Sequence, residues 1–113
     1  MNRTSMVKSI SMITLLGLLA GSQFASPARS QPTGETLFKS KCAACHGPDG
    51  KGDTPAGKAH QLRDLAGPDV QKQSDEELSG IISAGKGKMP AYGKSLTPEQ
   101  IKDLVTYIRA FKK

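Results

Sequence analysis

The chain has only two cysteines in 113 residues, no tryptophan, and aromatic side chains make up just 4% of it. Each shortage excludes something. Cys42 and Cys45 cannot form a stabilising disulfide framework, because a bridge between them would close a tiny loop and barely restrain the unfolded chain. No apolar run approaches the roughly twenty residues that a membrane-spanning helix needs. No basic run with interleaved aromatics is present, so nothing argues for nucleic acid as a partner. Convincing strands, internal repeats and low-complexity tracts are also missing.

The first thirty residues have a different character from the rest. Arg3 and Lys8 precede the short apolar run Ile10 to Ala20, and "GSQFASPARS" follows with small residues suited to cleavage after Ala28 or Ser30. That three-part build predicts a secretory signal peptide over residues 1–30 and a mature domain over 31–113. No stable membrane insertion is expected after cleavage, and the expected location is the periplasm or another extracytoplasmic space. The formal net charge of +6 includes Arg3, Lys8 and Arg29 of the leader; the remainder carries thirteen basic against ten acidic residues, a dispersed +3. That is too weak to suggest nucleic acid. A domain of this size with thin apolar content usually needs a staple, and something other than a disulfide must supply it.

What is present is helical patterning. "TGETLFKSKCAACH" predicts a helix from near Thr33 to about His46, ended by the glycines and prolines of "GPDGKGDTPAGK". "SDEELSGIISAG" opens with the capping-box spacing of Ser74 and Glu77. It places Leu78, Ile81 and Ile82 on one face and stops at Gly85. In "LTPEQIKDLVTYIRAFKK", Thr97 is a cap, Pro98 suits the first helical position, and Ile101, Leu104, Val105 and Ile108 form a helical stripe. Lys112 and Lys113 then fall at the negative end of the helix dipole.

On the first helix, Cys42, Cys45 and His46 fall at i, i+3 and i+4, and so on one side. Two thiols and an imidazole there suit one planar ligand: the thiols can add to the vinyl groups of a haem and the imidazole can bind its iron. C-x-x-C-H is the attachment signature of c-type haem, and a secretory leader agrees with it. The covalently held macrocycle, one haem c, would also be the missing core. A thioredoxin-like redox pair would want a βαβ setting that the pattern lacks. A zinc site would draw on Cys42, Cys45, His46 and His60, and the adjacent Cys45 and His46 would struggle to reach one tetrahedron. For the sixth position of the iron, Met89 is the sole methionine after residue 30. It lies in the stiff, glycine-flanked "GKGKMPAYG", outside any apolar stripe. His60, in the polar "GKAHQL", is the rival ligand.

The chain resembles a class I cytochrome c of the small bacterial monohaem kind, similar to cytochromes c5 and c6. Gly34 and Phe38 ahead of "CAACHG", then "GKGKMPAYG", then "LTPEQIKDLVTYIRAF" carry the likeness. It implies an all-α fold of three to five helices wrapped around one covalent haem, with the first and last helices crossing near Gly34, Phe38 and Tyr107. It also implies a proline carbonyl that orients His46; Pro55 and Pro68 are both open. His46 and Met89 in the axial positions would leave no substrate site, so the expected role is a one-electron carrier, not an enzyme. Leu62, Leu65, Leu78, Ile81, Ile82, Tyr92 and Leu104 are the expected apolar wall. Lys39, Lys41, Lys86, Lys88 and Lys94 lie in segments that should border the crevice; they either steer docking to an acidic redox protein or simply aid solubility. The protein is expected to be a monomer whose donors and acceptors are redox proteins. Two other classes stay open: a dedicated subunit of an oxidoreductase complex, and a haem peroxidase or gas sensor if Met89 does not hold.

Overall fold

The computed structural model describes residues 30–112, so the leader, apart from Ser30, lies outside the described residues. The architecture is all-α: α1 (Gly34–Lys41), α2 (Ala43–His46), α3 (Pro55–Ala59), α4 (Pro68–Gln71), α5 (Asp75–Ala84) and α6 (Pro98–Arg109). The three expected helices correspond to α1 with α2, α5 and α6. The first is divided at Cys42, and with α3 and α4 the described residues hold six helical segments. The single-turn pieces α3 and α4 fall in the stretch expected to be irregular, each opened by a proline at its first turn. Among the described residues, no helix is long and apolar enough to cross a membrane.

Caps fix the helix starts. Thr33 accepts the N–H of Thr36. Ser74 and Glu77 form a reciprocal capping box, as do Thr97 and Gln100. At the far end, α6 stops at Arg109, so the basic residue in its last turn is that arginine. Lys112 lies beyond the helix, and Lys113 lies outside the described residues.

The core forms where α1 and α5 both pack on α6. Leu37 and Phe38 meet Ile101, Leu104, Val105 and Ile108, and α5 adds Leu78 and Ile82. Phe38 and Leu104 are sealed from solvent. Phe38 also sits in an aromatic cluster, with ring centroids 5.3 Å from both Tyr107 and Phe111. The crossing is close because Gly34 has no side chain. A Cβ there would lie 2.1 Å from the Asp103 carbonyl oxygen.

Side chains hold the loops where regular structure does not. Gln71 donates to the carbonyls of Leu65 (2.7 Å) and Ile108 (3.1 Å). Arg109 donates to the Gln71 and Gln73 carbonyls and to the Asp75 carboxylate. Together these bonds tie the α4–α5 connection to the end of α6.

Gly34→Ala should push α1 off α6 and cost about 2–3 kcal/mol, the upper part of the overpacking range. Gly80→Ala, on an exposed face of α5 with nothing within 4 Å of the new methyl, should stabilise by about 0.5–1 kcal/mol. Denaturant unfolding of the two variants checks the contrast.

Candidate haem site

The C-x-x-C-H segment straddles the break between α1 and α2. Cys42 belongs to neither helix, with φ −112° and ψ −36°, yet its carbonyl accepts the His46 N–H at 2.9 Å. The i, i+4 relation between Cys42 and His46 therefore survives the break. The following loop then grips the segment from behind. The Thr54 hydroxyl donates to the Cys45 carbonyl at 2.6 Å, and the Gly52 N–H donates to the His46 carbonyl at 2.7 Å. Gly57 is required by this approach, since a Cβ there would lie 2.6 Å from the Cys45 carbonyl oxygen.

In front of the segment opens a cavity of about 400 Å³. Cys42 and His46 line it from one segment and Met89 from another, and a continuing notch adds Cys45. Of the expected wall, Leu62, Leu65, Leu78, Ile81, Ile82 and Leu104 line the cavity. Tyr92 does not. It sits at the notch, and its hydroxyl donates to the Lys41 carbonyl at 3.0 Å. Phe38, Val70 and Ile108 complete the apolar lining. The α6 stripe contains Ile108 and so signals it. Phe38 is expected only at the helix crossing, and Val70 carries no signal in its local sequence.

His60 is exposed and stands at the rim of both spaces. Of the five lysines, Lys86 and Lys88 border the cavity and Lys41 and Lys88 the notch. Lys39 is paired with Glu35 on α1, and Lys94 lines neither space. Pro55 and Pro68 begin α3 and α4, and the His46 Nδ1 is buried with no hydrogen-bond partner among the described residues.

Burial governs the chemistry of this wall. It pushes the His46 imidazole below its usual pKa, so the ring is neutral at pH 7 and able to donate a lone pair to a metal. It pushes the Cys42 thiol up to about 11, which holds the sulfur protonated. The donor set is two thiols, a neutral imidazole and a thioether around an apolar space of a size that suits a cofactor. These residues fit a covalent haem c.

Comparisons with known proteins agree. The family model described as "Cytochrome C oxidase, cbb3-type, subunit III" matches residues 29–108. A cytochrome c6 of Gloeothece citriformis is 37% identical over 108 residues, covering 91% of this chain and 93% of its own length. The solved structure of the KustC0563 c-type cytochrome is 37% identical with a TM-score of 0.67, covering 72% of this chain and 99% of that one. The cbb3-type cytochrome c oxidase subunit FixP of Bradyrhizobium diazoefficiens is 38% identical over 81 residues, covering 68% of this chain and 26% of its own length.

Left unfilled, the crevice would leave the apolar wall of Leu62, Leu65, Leu78, Ile81, Ile82 and Leu104 facing water, so much of the domain's apolar surface would no longer be buried on folding. A small domain has only about 5–15 kcal/mol of stability to lose. The double variant Cys42→Ala/Cys45→Ala, made without haem, should therefore lack a cooperative unfolding transition and sharp tertiary signals. A native-like transition in that variant would contradict the cavity's structural weight.

Proposed function

This chain belongs to the class I cytochrome c family, in its small cytochrome c6-like branch, and we propose that it is a freely diffusing, extracytoplasmic electron carrier with His46 and Met89 as axial ligands. It carries haem c and moves electrons between redox proteins. The supporting observation is one apolar cavity lined at once by Cys42, His46 and Met89. The leader over residues 1–30 directs the chain to the periplasm, where the domain over 31–113 matures.

When bound, haem c supplies an iron that gains or loses one electron between its ferric and ferrous states. The protein's share is positional and electrostatic. Cys42 and Cys45 would hold the macrocycle through thioethers. His46, kept neutral by burial, would offer the iron an imidazole nitrogen, and Met89 would offer it a neutral thioether sulfur. Leu78, Ile81, Ile82 and Leu104 exclude water from the cavity. A low-dielectric wall disfavours the extra positive charge of the oxidised state, so these residues raise the potential. With His46 and Met89 both holding the iron, no place would remain for a substrate, which separates this reading from a peroxidase or gas sensor.

One finding favours a second reading. The matching family model is named for an oxidase subunit, and FixP aligns with this domain over a quarter of its length. A mature chain that still carries residues 1–30, seen by N-terminal sequencing, would favour a tethered subunit.

The ferric protein should show the weak far-red band that arises from sulfur-to-iron charge transfer. Met89→His should abolish that band and lower the midpoint potential. Absence of the band from the unaltered protein, or a potential no higher than that of the His variant, overturns Met89 as ligand. Lys41, Lys86 and Lys88 edge the cavity and notch on exposed positions, so electron transfer to an acidic partner should slow as ionic strength rises from about 0.01 to 0.15 M, as the screening length falls from about 30 to 8 Å. A flat response would leave these lysines a role in solubility alone.

A further inference from the structure

Met89 lies on a segment with little holding it. Residues 86–89 form a tight turn closed by Met89 N–H to Lys86 O (3.0 Å) and Lys86 N–H to Met89 O (3.3 Å). Gly87, at φ +58°, marks its open outer edge, where an added Cβ would find no atom within 4 Å. Farther on, Tyr92 N–H donates to Ile82 O and Gly93 N–H to Ser83 O. Those bonds return only to α5, the helix from which the segment departs. Among the described residues, one hydrogen bond joins residues 86–96 to the C-x-x-C-H side: Tyr92 Oη–H to Lys41 O, at 3.0 Å.

The acceptor is available because of the break at Cys42. In an unbroken helix the Lys41 carbonyl would accept the Cys45 N–H. Here that N–H turns to Cys42 O at 3.2 Å, and the last carbonyl of α1 is an orphan in need of a donor. Tyr92 supplies one from 51 residues away. The carbonyl it holds immediately precedes Cys42, and the tyrosine stands three residues after Met89.

We propose that Tyr92 is a positioning residue, a latch that holds the Met89 segment against the C-x-x-C-H segment and so keeps the sulfur on the iron. This rests on Met89 being the axial ligand. With the latch open, the segment's remaining hydrogen bonds run only within itself and to α5, while Leu96 stays anchored in the core, and Met89 can yield its place to an incoming ligand. The apparent affinity for such a ligand scales with the population of the open segment. Losing one solvent-edge hydrogen bond, at the lower half of the usual net range, should raise that population about two- to fivefold.

The test uses the haem-loaded ferric protein, neutral imidazole as the competing ligand, and the far-red band as the readout, at fixed pH. Tyr92→Phe, which keeps the ring, should lower the apparent Kd for imidazole about two- to fivefold, with the folding equilibrium constant falling by no more than the same factor. Ser95→Ala removes a bond to Tyr92 O inside the same segment (3.3 Å) and should leave the Kd within about 1.5-fold. A Tyr92→Phe protein that keeps the band and binds imidazole as the parent does overturns the latch. So does a Ser95→Ala protein that shifts as much as Tyr92→Phe. A parent protein with no far-red band overturns the Met89 ligation itself, an outcome distinct from either.

Discussion

The interior of this domain cannot close on its own side chains. Around 80 residues with few aromatics build a helix crossing, α1 on α6 with α5 beside it, and the apolar residues of that crossing face a cavity as much as each other. Leu78, Ile82, Leu104 and Ile108 belong both to the packed core and to the cavity wall. The cofactor is thus the last piece of the hydrophobic core. This explains how so small a chain is stable without a disulfide framework, and why fold and redox site cannot be separated energetically.

The rest of the structure brings a few chain segments to that space. Helices supply the rigid walls. The intervening stretches have too few residues in regular structure to hold themselves, and bonds from side chain to backbone do it: Thr54 on the Cys45 carbonyl, Gln71 on Leu65 and Ile108, Arg109 on Gln71 and Gln73. Glycines allow the close approaches, at Gly34 against α6 and at Gly57 behind Cys45. A loop held this way keeps its shape without adding apolar area, which suits a domain whose apolar area is already committed to the cavity.

The sequence discloses whatever is local. The capping boxes at Ser74 and Thr97, the α6 stripe and the spacing of Cys42, Cys45 and His46 each lie within a few residues, and each is legible in the amino-acid order alone. The break at Cys42 is not, because nothing in "SKCAACHG" disfavours a continuous helix; its sign is a carbonyl bonded to a tyrosine 51 residues away. The same limit explains Tyr92, which as an aromatic next to "MPA" reads as wall and instead turns its hydroxyl to α1. It also explains Thr54, whose bond to Cys45 spans nine residues. The prolines are ambiguous for another reason. Both Pro55 and Pro68 serve as helix starters, a local use that says nothing about which carbonyl faces His46.

The two sides of the site differ mechanically, and this difference bears on function. The C-x-x-C-H side is fixed three ways: by the helices, by Thr54 and Gly52 on its carbonyls, and by two thioether bonds once haem is attached. The methionine side, under the ligation proposed above, has one coordinate bond, a turn closed on itself, two backbone bonds back to α5, the buried Leu96 and a single hydrogen bond across the gap. Electron transfer asks only that neither side move when the iron changes charge. Any chemistry on an incoming small molecule asks that one side give way, and only the segment after Gly85 is built lightly enough to do so. Whether a domain of this design is a carrier or something more reactive is therefore decided in residues 86–93, while the attachment segment is the same in either case.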